Sequence, residues 1–448
     1  MSLSRKWYAS AVRCGSQISC YRSAWLCKNS NRMMSAGSYE VLPSEFPSGA
    51  TLRYPRRDRA RMFLPSETLS PKDRGATFAI IGASGNVGRQ IVMSLIAKRP
   101  LYAGMGPVTV QFVGMRQDSS LGTLIGLCSE LRDGFDEFCP DLEVVLDLEA
   151  VEADIVVVAA GANLGNHYKT FKHLAQANMH IFDKLAVSLL AKNFNSLIIV
   201  VSNPAEFAVD TFVDAGFHPE RVIGFGAYLD TLRFRREIAS ELGVSRQHVS
   251  GLCLGKHGLS TVPCWSTVSL ASICGVPGAA ERLEKLKEEG LARLPRDLSA
   301  LRALAERVRS LAAGGDSLAA TALVNSQTPD TRASLRRYVS FFTGPVYPRV
   351  GIGEKVSQLI SDILEGRETS IAAQVRVTEK DRFLGIQDQA IGAPVVLSGH
   401  GASVVPVELE PKEQEAVRAA AEEVKSMTKA AKALLRLQKA RKSASKIV

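Results

Sequence analysis

The stretch TFAIIGASGNVGRQIVMSLIAK, residues 77–98, constrains the fold of this chain more than any other segment. Its first residues are apolar and rich in isoleucine, which is typical of a strand that is buried on both faces. Gly82, Gly85 and Gly88 follow at once, and apolar residues then recur at helical spacing. A strand, a glycine turn and a helix in this order form the context in which such glycines bind a dinucleotide.

Each glycine of this turn has a physical role. The first permits the tight turn, the second lets the backbone approach a pyrophosphate, and the third lets helix and strand pack closely. The first helical turn adds free N–H groups and a partial positive charge. The alternative is a glycine-rich turn that binds nothing. We predict that five residues here contact a nucleotide: Gly82, Gly85, Asn86, Val87 and Gly88.

Further apolar runs predict four more strands, in VTVQFVG (108–114), DIVVVAAG (154–161), SLIIVVSNP (196–204) and RVIGFG (221–226). Helical stretches such as TFKHLAQAN and KLAVSLLAKNF lie between several of them. Alternating strands and helices predict an α/β fold with a doubly wound, mostly parallel Rossmann sheet. Ligands bind such sheets at the carboxyl ends of the strands, where Gly161 and Asn203 lie.

The pattern changes after about residue 227. Residues 281–345 look helical but irregular, AAQVRVTEK and APVVLSG predict strands, and residues 412–441 predict one long helix. We interpret this part as an α+β substrate domain. The long helix carries an apolar stripe of Val417, Ala421, Val424, Ala431, Leu434 and Leu435.

The basic charge of the chain belongs to its two ends. The total is +10, but residues 1–75 and residues 425–448 each carry +8, which leaves −6 for residues 76–424. The folded body is therefore not expected to bind nucleic acid. The basic end could meet an acidic partner or an anionic membrane surface, or it could simply extend the last helix into solvent.

The first 39 residues contain six Lys or Arg and no Asp or Glu. This composition predicts an organelle transit peptide, mitochondrial or else plastid, although a tail of accidental bias has the same composition. We expect no transmembrane helix, and the cysteines lack the spacing of a metal site. The predicted organisation is a transit peptide (1–39), a linker (40–75), a Rossmann domain (76–226), a substrate domain (227–424) and a basic tail (425–448).

The second strand of the predicted sheet ends in VGMRQDSS, without the acid that usually binds the ribose hydroxyls of NAD. Gly114 or Met115 falls at that position, and Arg116 and Ser119 follow. A cation and hydroxyl groups suit a 2′-phosphate, so we predict that NADP is preferred and NAD is the alternative. Asp118 could instead take the acidic role, or Arg116 could be an ordinary surface residue.

The heptapeptide LGKHGLS, residues 254–260, places His257 near two glycines. A histidine in a loop is usually inert, but one held at a cleft can transfer protons. Asp230 and Arg233 are three residues apart on a predicted helix and therefore share a face. An ordinary ion pair would give the same spacing.

Five motifs in a fixed order give the chain a family resemblance. GASGNVG, AAGA (159–162), VVSNP (200–204), LDTLRFR (229–235) and LGKHG (254–258) follow the order seen in the malate and lactate dehydrogenases. The chain resembles that family well over about 76–275 and more loosely over 350–424. The GMRQDSS run looks like the NADP-dependent malate dehydrogenases of chloroplasts. The resemblance implies hydride transfer between a nicotinamide and a small 2-hydroxy or 2-oxo acid, in a homo-oligomer.

The resemblance also implies roles for individual residues. His257 would be the general acid and base, and Asp230 would fix its tautomer. Arg233 would bind the substrate carboxylate with a bidentate fork. Asn203 would orient the substrate oxygen beside the nicotinamide ribose.

The loop after AAGA departs from the family. No arginine lies between Gly161 and His173. By the resemblance, Leu164 falls at the specificity position and Thr170 at the position of the carbonyl-polarising arginine. Lys169 could supply a cation, without the planar fork of an arginine. Two hypotheses follow: a working dehydrogenase that uses Lys169, or a catalytically weak relative that serves as a structural or nucleotide-binding subunit.

Overall fold

The predicted parallel strands form one half of a continuous sheet in a computed structural model of the chain. The structure describes residues 51–53, 76–98, 108–114, 120–162, 171–342 and 349–444. The parallel strands are β2 (Thr77–Ile81), β3 (Thr109–Val113), β4 (Asp141–Val145), β5 (Ile155–Val158), β6 (Leu197–Val200) and β7 (Val222–Gly224). They lie in the order β4-β3-β2-β5-β6-β7. A short strand, β1 (Thr51–Arg53), pairs antiparallel with the outer side of β4.

Alternate residues of the central strand β2 enter two different cores. Phe78 and Ile80 pack on one face of the sheet, and Ala79 and Ile81 pack on the other. This is why the strand reads as an unbroken apolar run. The helices of this half are α1 (Asn86–Ala97), α2 (Ser120–Phe135), α3 (Phe171–Asn193), α4 (Ala205–Ala215) and α5 (Gly226–Leu242).

The other half of the sheet is antiparallel. Its strands are β8 (Leu252–Gly255), β9 (Thr261–Cys264), β10 (Thr369–Val377), β11 (Gln389–Ser398) and β12 (Gly401–Val404). It continues from β7 in the order β10-β11-β8-β9, with β12 on β11. Gly224 of β7 pairs with Gln374 of β10, and Gly392 of β11 pairs with Gly255 of β8. A Cβ at Gly392 would lie 2.5 Å from the Gly255 carbonyl oxygen, so only glycine permits the second junction.

The segment predicted to be irregularly helical forms four helices: α6 (Ala279–Ala292), α7 (Leu298–Ala313), α8 (Ser317–Asn325) and α9 (Pro329–Phe342). Residues of α7, α8 and α9 share a small core of their own. Ala333 of α9 also joins Phe234 and Ile238 of α5 in a separate core. Helix α9 is therefore fixed against the helix that carries Asp230 and Arg233.

Two further helices complete the fold, α10 (Val350–Leu364) and α11 (Pro411–Ala444). Val417, Ala421 and Val424 of α11 belong to the core on one face of the sheet, and Leu435 belongs to the core on the other. The predicted apolar stripe is thus what attaches this helix. None of the helices in the described ranges is both long and apolar enough to cross a membrane.

The Rossmann sheet, the second α+β region and the long final helix are confirmed. Five strands were not predicted, namely β1, β4, β8, β9 and β12, and α3 was predicted as two separate helices. The sheet continues past residue 226, where the Rossmann domain was predicted to end, and α11 continues past residue 424, where the substrate domain was predicted to end. The domain limits themselves stay predictions.

Candidate functional site

The glycine turn lies between the carboxyl end of β2 and the start of α1. Gly82 has φ +87°, and a Cβ there would lie 2.8 Å from the backbone nitrogen of Ala160. At Gly88 a Cβ would lie 2.3 Å from the Gly82 carbonyl oxygen. The N-cap residue of α1 is Gly85, which has no side chain to accept hydrogen bonds from the first N–H groups of the helix. Asn86 and Val87 lie in this first turn, as predicted.

The chain segments that follow β5 and β6 are tied together by the buried Asn178 of α3. Its side chain accepts a hydrogen bond from the Ala162 backbone at 2.6 Å and donates one to the Asn203 carbonyl at 2.7 Å. A Cβ at Gly161 would lie 3.1 Å from the same amide. Gly161 and Asn203 are thereby brought to the same edge of the sheet as Gly82.

Asn203 has an unsatisfied polar atom. Its Oδ1 is buried and accepts no hydrogen bond within the part of the chain that the structure describes. The peptide bond from Asn203 to Pro204 is cis. A buried acceptor without a donor is unfavourable unless something else supplies one. A ligand hydroxyl, amide or water is the chemistry that this atom would accept.

His257 and Asp230 form a buried pair. His257 Nδ1 lies 2.7 Å from Asp230 Oδ2, which also accepts a hydrogen bond from the Gly258 backbone at 3.1 Å. Asp230 Oδ1 accepts from Arg233 Nη1 at 3.1 Å. Burial alone would raise the pKa of Asp230, but His257 and the guanidinium groups of Arg233 and Arg337 hold it well below its usual range. Asp230 is therefore a carboxylate that keeps a proton on Nδ1 and leaves Nε2 for other chemistry.

A second buried carboxylate fixes the backbone of the histidine. Glu206 accepts a hydrogen bond from the His257 backbone nitrogen at 2.5 Å and a long one from Gln374 at 3.4 Å. Gln374 in turn accepts from the Ala227 backbone at the start of α5, at 2.9 Å. Burial raises the pKa of Glu206, although the nearby His257 and Lys256 oppose this effect. The parallel sheet, α5 and the histidine turn are thus joined by polar groups at this point.

A cleft of about 480 Å³, a volume that includes its opening to solvent, reaches His257. One wall carries Asn203, Glu206 and Phe207, and the other is helix α11. Lys256, the residue before the histidine, donates a hydrogen bond to Glu423 of α11 at 2.7 Å. Although burial opposes it, this contact lowers the pKa of Glu423. The lysine therefore holds α11 over the cleft.

The structure brings together most of the residues predicted from the sequence. Gly82, Gly85, Gly88, Gly161 and Asn203 lie at the carboxyl edge of the parallel strands, and His257, Asp230 and Arg233 form one contiguous group. The predicted site residues Arg116, Ser119, Leu164 and Lys169 lie outside the described residues.

Four further residues of the site were not predicted from the sequence: Asn178, Glu206, Arg337 and Gln374. Only Glu206 left a signal, because an acid two residues after Pro204 lies near the carboxyl end of a parallel strand. The contacts of the other three connect residues that are far apart in the sequence, so nothing local indicated them.

Three comparisons with known proteins agree with this geometry. The family model for the NAD-binding domain of lactate/malate dehydrogenase matches residues 76–224. Malate dehydrogenase of Chloroherpeton thalassium is 31% identical over 281 residues, which cover 62% of this chain and 76% of that protein. The L-2-hydroxycarboxylate dehydrogenase (NAD(P)(+)) of Methanocaldococcus jannaschii is 27% identical over 353 residues, which cover 77% of this chain and 96% of that protein.

Several matches are partial. Alignments with five bacterial L-lactate dehydrogenases span only 37–44% of the length of those enzymes. Among solved structures, malate dehydrogenase from Picrophilus torridus superimposes with a TM-score of 0.60 at 20% identity. That superposition covers 81% of this chain and 99% of the other. At this identity the likeness concerns the fold alone.

Proposed function

The chain belongs to the malate/lactate dehydrogenase family, and from this premise we propose that it catalyses hydride transfer between a nicotinamide cofactor and a 2-hydroxy or 2-oxo acid. One observation supports the proposal above the others. The 2.7 Å contact between His257 and Asp230 is accompanied by the contact of Asp230 with Arg233. A proton-transfer group and an anion-binding group are thus placed together.

Each side chain has a defined part in this reaction. Asp230 holds the proton on Nδ1 of His257, so Nε2 can give a proton to the substrate oxygen or take one from it. Arg233 pairs with the substrate carboxylate, because a guanidinium presents two parallel N–H donors. Asn203 has a free acceptor, Oδ1, for a hydroxyl or amide of a bound molecule.

The glycine turn fits a dinucleotide. At Gly88 even a methyl group would collide with backbone, and the Gly85 cap leaves N–H groups at the start of α1 for a pyrophosphate. When bound there, a nicotinamide cofactor supplies or accepts the hydride. The protein's contribution is to orient the substrate and to move the proton.

The experiment is a substrate screen with the full chain. Oxidation of NADH and NADPH is followed with oxaloacetate, pyruvate and bulkier 2-oxo acids, and nucleotide binding is measured separately. We expect turnover with at least one acid. Changing His257 to Asn should lower kcat by about three powers of ten while nucleotide affinity stays within about threefold. Tight nucleotide binding without turnover of any acid would refute the enzyme proposal and support the structural or nucleotide-binding alternative.

We further infer that NADP is preferred over NAD. At Gly114, directly after β3, a Cβ would lie 2.7 Å from Leu124 and 2.9 Å from the Ser120 hydroxyl, so an acidic side chain there would require both side chains to shift. Arg116 and Ser119 follow in the sequence with groups that suit a 2′-phosphate. Changing Arg116 to Ala should raise the KM for NADPH at least tenfold more than the KM for NADH. Equal increases for the two nucleotides would contradict this preference.

A further inference from the structure

An arginine that no motif pointed to lies against the histidine turn. Arg337 of α9 approaches Gly258, the residue after His257, so closely that a Cβ on Gly258 would lie 3.1 Å from Arg337 Nη2. Gly258 has φ +114°, a conformation that favours glycine. The absence of a side chain at Gly258 leaves the space that this guanidinium occupies.

The other polar contacts of Arg337 are weak. Its Nη2 donates to the Tyr338 hydroxyl at 3.3 Å, and its guanidinium carbon lies 5.1 Å from the centre of the Tyr338 ring. No Asp or Glu of the described residues forms an ion pair with it. Its neighbour Arg336 differs, because Nε of Arg336 lies 2.8 Å from Glu237.

The charges around Asp230 do not balance. Asp230 attracts both Arg233 and Arg337, but only Arg233 forms an ion pair with it. Burial and the repulsion from Arg337 and Arg236 lower the pKa of Arg233, and Asp230 opposes this effect. Two partly buried guanidinium groups therefore share one carboxylate. Although burial opposes it, Tyr338 and Asp230 raise the pKa of Arg337. The Arg337 guanidinium therefore stays charged and is available to a second anion.

We propose that Arg337 binds the second carboxylate of a dicarboxylic 2-oxo acid, while Arg233 binds the first. This inference rests on the proposed function and specifies its substrate class. Arg337, on a helix far away in the sequence, would thus provide an arginine that the segment between Gly161 and His173 lacks. A monocarboxylic acid would compensate only one of the two cations, so the site should discriminate against it.

The test compares Arg337→Gln with a matched control, Arg336→Gln, on the same helix. For each full-length protein, kcat/KM is measured with oxaloacetate and with pyruvate. Loss of a buried charge-assisted contact should lower the value for oxaloacetate about 100-fold in Arg337→Gln and change that for pyruvate less than about fivefold. Arg336→Gln should keep the wild-type ratio of the two values. Equal losses for both acids, or no loss, would overturn the proposal.

A binding measurement separates this inference from the proposed function. Complexes with the reduced nucleotide cannot turn over malate or lactate, so the affinities of these two acids can be measured even for an inactive protein. The wild type and Arg337→Lys should bind malate more tightly than lactate, and Arg337→Gln should lose that preference. If wild-type protein fails the substrate screen but shows this pattern, only the enzyme proposal falls. If the wild type binds both acids equally, the role of Arg337 falls instead.

Discussion

The most informative single substitution is Asp230→Asn, because the Asp230 carboxylate acts as the hydrogen-bond acceptor in each of its polar contacts. Oδ2 accepts from His257 Nδ1 and from the Gly258 backbone, and Oδ1 accepts from Arg233. An asparagine offers one acceptor and one NH₂ group in nearly the same shape. Whichever way the amide turns, its NH₂ group faces at least one donor.

Both orientations of that amide have a cost. If the NH₂ group faces Arg233, the amide opposes the guanidinium that should bind substrate. If it faces His257, it selects the tautomer whose proton is on Nε2, which can no longer accept a proton there. Leaving a buried donor unpaired costs about 1–3 kcal/mol. The analogous change in Ser-His-Asp enzymes lowers kcat about 10⁴-fold through the wrong tautomer.

We therefore expect Asp230→Asn to lower kcat by at least about 10³-fold, equivalent to about 4 kcal/mol of transition-state stabilisation. The assay is steady-state oxidation of the reduced nucleotide, with nucleotide affinity and thermal unfolding measured in parallel. Asp330→Asn is the matched control, because Asp330 is also buried and pairs with Arg293 at 3.2 Å, but it makes no contact with His257. The control should lose stability without a comparable loss of kcat. A variant at Asp230 that retained a tenth of wild-type kcat would refute the tautomer argument.

Two further predictions concern binding and stability. Gly88→Val should weaken nucleotide binding at least about 100-fold, because a Cβ at this position would lie 2.3 Å from a backbone oxygen. Gly122→Ala is the control and should leave binding unchanged, because a Cβ there would have no atom within 4 Å. Equilibrium titration with NADH and NADPH distinguishes the two variants. Burial raises the pKa of Asp210 to about 6, although Arg376 and other groups oppose it. The folded state thus holds this proton more tightly than the unfolded state, so the contribution of Asp210 to stability falls as the pH rises from about 4 to about 6, by about 3 kcal/mol. Asp210→Asn should remove that part of the pH dependence in urea unfolding, and an unchanged curve would contradict the shift.

The local parts of the site could be predicted because short-range patterns determine them. The order of strand, glycine turn and helix around Gly82 is encoded within about 20 residues, and the structure reproduces it. The shared helical face of Asp230 and Arg233 follows from their spacing alone. β4 was missed because a buried polar pair interrupts its apolar pattern: Glu143 accepts a hydrogen bond from Gln111 at 3.2 Å.

The remaining parts could not be predicted because they depend on how distant elements pack. The amphipathic pattern of residues 329–342 predicts a helix, but it does not indicate that the helix packs against α5 and brings Arg337 to Gly258. The partner of Asn178 is a backbone carbonyl 25 residues away. Single-sequence periodicity contains no information about such contacts, and the pairing of His257 with Asp230 was expected only from the family resemblance.

The nucleotide side of the site and its proton-transfer group are positioned by different parts of the fold, and contacts between these parts fix their relative positions. Parallel strands bring Gly82, Gly161 and Asn203 to one edge, so the nucleotide side needs only the sheet. His257 comes from the turn after β8, in the antiparallel half, and requires separate positioning. Glu206, three residues after Asn203, provides it by accepting the His257 backbone N–H, while Gln374 connects the same carboxylate to the start of α5. A buried acid on the chain segment that follows the asparagine therefore sets where the proton-transfer group stands relative to the nucleotide edge.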